Sequence, residues 1–191
     1  TSYELINQVI IPNLGDNKEK RVLVAINQAD VAMKGRYWDY DLNKPEPQLV
    51  KFLEEKVVSV KKRIKEGTGI DVDPIYYCAG YKEEGVEQNK PYNLAKLLYY
   101  IIRYTPTEKR LSYVENLNNN AEMWQDNDEL QDYKEGILEG LGSTIISHIG
   151  TGGELGKSIG SLLGAPGKAI GGVIGGVFGG VVGFVKGILG L

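Results

Sequence analysis

The chain has 191 residues, 42% of them hydrophobic and 25% charged, with a net charge of −3. That length and mixture support one domain with a core plus an appendage, and exclude a collagen-like or wholly disordered chain. One Cys and one His exclude a disulfide scaffold and a zinc site built from those residue types alone, and the slight acidity gives no global basic footprint for nucleic acid. Lone Cys78 fits a reducing compartment, and a chain that starts at Thr1 with no leading signal peptide reads as a processed or truncated piece.

In chain order, residues 2–11 read as the end of an amphipathic helix, stopped by Pro12, Asn13, Gly15 and Asp16. Val22-Leu23-Val24-Ala25-Ile26 is a short apolar run after charged residues, which predicts a strand buried on both faces. Residues 31–47 read as a loop holding Gly35, Pro45 and Pro47. Over 48–66, Leu49, Phe52, Leu53, Val57 and Val60 fall near helical spacing, and Gly67 and Gly69 end that helix. Pro74-Ile75-Tyr76-Tyr77-Cys78 predicts a second strand. Tyr92–Tyr104 predicts a helix with Leu94, Leu97, Leu98, Ile101 and Ile102 on its apolar face. The order helix, strand, helix, strand, helix implies parallel strands and an α/β architecture. Two short strands make a poor sheet alone, so the pattern reads as part of a larger one. Residues 106–142 read as a helical connector broken at Asn118-Asn119-Asn120.

Residues 143–191 have a different character. Most of the 25 glycines lie in this tail, where Glu154, Lys157, Lys168 and Lys186 are the charged residues. Ala169–Leu191 is long enough to cross about 30 Å of hydrocarbon as a helix. Gly171, Gly175, Gly179, Gly183 and Gly187 recur every four residues, and Gly172, Gly176 and Gly180 form an adjacent row. On a helix these rows make a stripe free of side chains, which lets membrane helices approach closely. The tail therefore reads as a helical glycine zipper that inserts into a membrane and self-associates. A self-packed soluble hairpin and a low-complexity tail are the alternatives.

The chemistry-bearing residues follow the two strands. Val22–Ile26 runs into Asn27-Gln28-Ala29-Asp30, and in open α/β sheets ligands bind beyond the carboxyl ends of the strands. A carboxylate at Asp30 accepts from the N1–H and exocyclic amine of guanine, a donor pair that adenine does not offer. Asn27 supplies a donor and an acceptor, suited to the base N7 and to bracing a neighbouring loop. Gln28 would lay its methylenes on the base face. The second strand ends in Cys78-Ala79-Gly80, whose small side chains let a backbone N–H approach the guanine O6. The alternative is turn chemistry, with Asn27 and Asp30 only capping the next segment.

Asn27-Gln28-Ala29-Asp30 resembles the Asn-Lys-x-Asp guanine motif of translation-factor-class GTPases, and Cys78-Ala79-Gly80 resembles their Ser-Ala-Lys motif. With Arg36-Tyr37-Trp38-Asp39 and the proline-rich start of the next helix, residues 1–105 are similar to the second half of a G domain in Era-like GTPases of the 50S-ribosome-binding type. Gln28 stands for the family's Lys, Cys78 for Ser, and Gly80 for Lys or Leu, departures that touch base stacking more than guanine selection. The resemblance implies a partial P-loop-NTPase-like α/β domain that binds GTP or GDP, with Mg²⁺ expected in a full-length parent only. It implies a cytoplasmic protein, at the inner face of the membrane if the tail inserts.

A phosphate loop is not found where it is needed. Gly150–Ser158 approaches the pattern, but the position that requires the first Gly is Thr151, no β-branched strand precedes it, and no Asp-x-x-Gly follows. The chain alone is therefore expected not to hydrolyse GTP. His148 and the acidic set Asp126, Asp128, Glu129 and Asp132 show no catalytic or calcium-loop spacing. Two readings remain: a GTP-binding protein with a membrane-associating tail, and a non-enzymatic glycine-zipper membrane protein with a small α/β head.

Overall fold

The structure is a computed structural model and describes residues 2–16, 18–80, 90–110, 113, 123–125, 127–137 and 139–141. The glycine rows, Gly150–Ser158, His148, Asp126 and the Asn118–Asn120 break lie outside the described residues. The chain divides into two compact units, Thr1–Tyr104 and Thr105–Leu191.

In the first unit the main elements are α1 (Ser2–Leu5), β1 (Ala25–Ile26), β2 (Trp38–Asp39), β3 (Lys44–Pro45), α2 (Pro47–Thr68), β4 (Ile75–Tyr76) and α3 (Leu94–Tyr104). β1 and β4 pair in parallel, Ala25 opposite Ile75 and Ile26 opposite Tyr76. The α/β class and the parallel pairing expected from the sequence are present. The ladder is carried by the Ile75 N–H donating to the Val24 carbonyl (3.0 Å) and the Tyr77 N–H donating to the Ile26 carbonyl (2.9 Å).

Burial of the first strand differs from the expectation. Val22, Leu23, Val24 and Ile26 are half-buried and Ala25 is exposed, whereas Ile75 and Tyr76 are buried. Each strand of this ladder has one partner among the described residues, so the difference lies in what covers the faces: Tyr76 belongs to the core with Leu49 and Leu53, against which Ile26 is only partly buried. A continuous apolar run reports the capacity for burial on both faces, not the presence of what covers them.

α2 starts with Pro47 at its first turn, where a missing N–H costs nothing, and ends at Gly69 in the left-handed conformation (φ 73°). Gly67 lies inside the helix rather than ending it. Leu49 and Leu53, one turn apart, are fully buried and anchor the helix in a core with Ala29, Trp38, Tyr76, Cys78 and Tyr92. Burying each leucine contributes roughly 1.5–3 kcal/mol. Exposed ion pairs join the last turns of α2 to the approach to β4: Lys61 to Asp73 (2.6 Å) and Lys65 to Asp71 (2.8 Å).

The stretch 31–47 is more ordered than a plain loop. β2 and β3 form a small antiparallel hairpin, Trp38 opposite Pro45, steadied by the Leu42 N–H donating to Asp39 Oδ1 (2.9 Å). The N-terminal segment passes from α1 into a π-helical turn (Ile6–Ile10) and a 3₁₀ turn (Ile11–Asn13) rather than one regular helix, with Leu5, Val9 and Ile10 exposed. α3 buries Ala95, Leu98 and Ile102 along one stripe. In the second unit Trp124, Tyr133, Ile137 and Leu141 are buried, and Asp132 Oδ1 accepts from the Glu135 N–H at the start of the helical turn 133–137. Among the described residues no helix is long and apolar enough to cross a membrane.

Candidate functional site

Both candidate motifs stand at the carboxyl ends of the paired strands. Beyond the β1–β4 ladder the Ala29 N–H donates to the Tyr77 carbonyl (3.2 Å), so one further hydrogen bond ties the first motif to the second strand. Ala29 is 1% exposed and sits in the core shared with α2. A small residue is needed there, and its burial directs its neighbours outward. Gln28 adopts the left-handed conformation (φ 62°, ψ 42°), and Asp30 occupies the first turn of the 3₁₀ segment Ala29–Gly35.

Asn27, Gln28, Asp30, Cys78, Ala79 and Gly80, together with Val31, line one cavity of about 370 Å³. That is the lower part of the range for small-molecule sites. Val31 was not among the residues singled out from the sequence. The signal for it was weak, since an apolar residue after an Asx turn more often packs inward, yet this one is exposed.

The backbone at the second motif is divided between structure and site. Cys78 and Tyr92 form an antiparallel bridge, the Cys78 N–H donating to the Tyr92 carbonyl (3.1 Å) and the Tyr92 N–H to the Cys78 carbonyl (3.0 Å). The Cys78 amide is therefore committed. The Ala79 N–H has no hydrogen-bond partner among the described residues, and Ala79 itself is exposed. Gly80 turns the chain with φ 76°, a conformation that suits glycine because it has no Cβ. Tyr92 is held in turn by Trp38 edge-on (5.3 Å between ring centroids) and by Tyr76 in a stacked pair (6.5 Å). The next residue, Asn93, is fully buried and donates through Nδ2 to the Tyr76 carbonyl (3.2 Å), which sets the start of α3 against β4. This bracing by Tyr92 and Asn93 had no local sequence signal, because the bridge joins residues well apart in the sequence.

The side chains divide likewise. Asn27 Oδ1 accepts from the Gln28 N–H (2.8 Å), so its amide nitrogen is the donor it has to offer. Burial pushes the Cys78 thiol up to about 11, the Asp30 carboxylate adds to the rise, and the N–H groups of Gly80, Tyr92 and Asp30 oppose it. The thiol is thus kept protonated and packed, a poor nucleophile. Asp30 and Cys78, one beyond each strand end, line the same cavity. Asp30 makes no ion pair among the described residues, and its half-buried carboxylate borders the cavity. No group of three or more His, Cys, Asp or Glu among the described residues is placed to hold a metal ion.

Chemically the cavity offers a carboxylate with two acceptor oxygens, an amide donor, a backbone N–H, and an apolar flank from Val31 and the Gln28 methylenes. No family model, curated protein or solved structure matches the chain.

Proposed function

We propose that the first unit is a guanine-recognition module, the base-binding corner of a GTP- or GDP-binding protein of Era-like type. The observation that carries the reading is the convergence of Asn27, Gln28, Asp30, Cys78, Ala79 and Gly80 on one cavity at the carboxyl ends of two parallel strands. Asp30 accepts from the guanine N1–H and exocyclic amine, the Asn27 amide nitrogen donates to N7, the Ala79 N–H donates to O6, and Gln28 and Val31 flank the ring. Adenine presents an amine where guanine presents O6 and lacks both the N1–H and the 2-amine, so three of these contacts are lost with it and only that to N7 is kept.

Phosphate and Mg²⁺ chemistry is not assigned to the described residues; in this reading it belongs to a longer parent that supplies a phosphate loop. The tail is proposed to hold the protein at the inner face of a cytoplasmic membrane and to self-associate along its glycine rows, supported by their four-residue period.

The test is a comparison of guanosine with adenosine by saturation-transfer NMR on the full chain. Guanosine saturation that disappears in Asp30→Ala, with none for adenosine, supports the reading. Equal saturation by both nucleosides reduces the cavity to a strand-end turn.

A further inference from the structure

Directly after Asp30 comes a segment that base recognition leaves unused. The 3₁₀ segment breaks at Ala32 (φ −58°, ψ 153°), and Met33, Lys34 and Gly35 then all lie in the left-handed region at φ 53°, 64° and 71°, with Tyr37 following at 65°. For Met, Lys and Tyr this backbone is costly, because Cβ crowds the following carbonyl oxygen. The segment is pinned at both ends by buried residues, Ala29 and Trp38. Between the pins Val31, Met33 and Tyr37 hold apolar surface in water, and the internal bond from the Arg36 N–H to the Met33 carbonyl is long, at 3.5 Å. Val31, at the start of the segment, lines the cavity. The strained backbone and the exposed Met33 and Tyr37 therefore follow closely on Val31, the residue of this segment that lines the cavity, and a motion toward the cavity would relieve strain and exposure together.

We propose that Ala32–Tyr37 is a strap that folds over the cavity when a base fills it, so that strain stored in the open form contributes to closure. This deepens the guanine reading and rests on it. The bound base supplies the apolar face that Val31 and its neighbours lack, and closure takes the left-handed residues to ordinary backbone. Cations Lys34 and Arg36, both exposed, mark the strap for cleavage in its open form.

The experiment is tryptic digestion of the full chain with and without saturating guanosine, alongside equilibrium dialysis to measure binding independently. Cleavage after Lys34 and Arg36 is expected to be lost as guanosine saturates, while cleavage on exposed α2 lysines such as Lys62 is unchanged. Lys34→Gly is expected to bind guanosine about fivefold more weakly than Lys34→Ala, since both remove the charge but only glycine relaxes the open form. Guanosine that binds in dialysis without protecting Lys34 and Arg36, or equal affinity of the two variants, overturns the strap and leaves base recognition standing. Absence of binding in dialysis overturns base recognition itself, and the strap with it.

Discussion

Replacing Asp30 by Asn should make the Cys78 thiol more acidic, because the carboxylate beside it is one of the two causes of its raised pKa. Burial, the larger cause, and the carboxylate push the thiol up to about 11 from an ordinary 9.0. At pH 8 about one thiol in 10³ is then ionised, against about one in ten for the unshifted group, so ionisation alone slows alkylation about 100-fold. Burial, which leaves Cys78 3% exposed, slows it further. Asp30→Asn keeps the shape and the turn but removes the charge, so the alkylation midpoint should move down from about 11 while staying above 9.0. The assay is iodoacetamide labelling followed by mass spectrometry from about pH 8 to about pH 12, a range that spans both the ordinary and the raised thiol, with urea-unfolded protein as reference. The same shift makes stability depend on pH. A thiol whose folded-state pKa is raised contributes fully below 9.0, and its contribution, up to about 3 kcal/mol, is lost as pH rises toward 11. A native midpoint near 9.0, or one that Asp30→Asn leaves in place, would refute the side-by-side placement of the two strand ends.

Three further outcomes are expected. Leu53→Ala removes a fully buried anchor of α2 and should cost about 2–5 kcal/mol in urea titration, loosening the core that holds Ala29; an unchanged urea midpoint would remove α2 from the support of the site. The Asp71 carboxyl is held below its ordinary 3.8 first by its hydrogen bond from Lys65 and then by that from Lys61, so its stabilisation is present above 3.8 and lost as pH falls below it; thermal midpoints of Asp71→Asn should fall less than those of the parent over that acid range, and parallel curves would contradict this. Gly179→Leu with Gly183→Leu should leave flotation with liposomes intact but abolish crosslinking of the floated fraction, because bulk on the stripe blocks close approach; an intact chain that stays with the soluble marker would contradict membrane association.

Local pattern carried the elements well where one residue type dominates. Leu49 and Leu53 at helical spacing with Gly69 behind them define α2, and the runs ending at Ile26 and Cys78 define the two parallel strand ends. The grouping of the candidate residues was legible because they follow strand ends directly, so placing the strands places the residues. What escaped the sequence depends on distant partners. The partial burial of Val22–Ile26, with Ala25 exposed, depends on what packs over the strand faces, which no residue in the run encodes. The Cys78–Tyr92 bridge and the Trp38–Tyr92 contact, which fix the second motif, join residues far apart in the sequence. The left-handed run at Met33 and Lys34 is carried by side chains that ordinarily avoid that conformation, so tertiary anchoring at Ala29 and Trp38 overrides local preference there.

Base choice by Asp30 is tested most directly by calorimetric titration of the full chain and of Asp30→Asn with guanosine and with xanthosine. Asparagine keeps one acceptor for the N1–H but turns the other position into a donor, which opposes the guanine amine and complements the xanthine 2-carbonyl. Because Asp30 is half-buried rather than sealed, the lower end of the range for losing a charge-assisted pair applies, about 2 kcal/mol, or about 30-fold. The parent chain is expected to prefer guanosine, and Asp30→Asn to lose about 30-fold in guanosine affinity and to gain xanthosine. Guanosine affinity that is the same in both proteins, with xanthosine rejected by both, would contradict it.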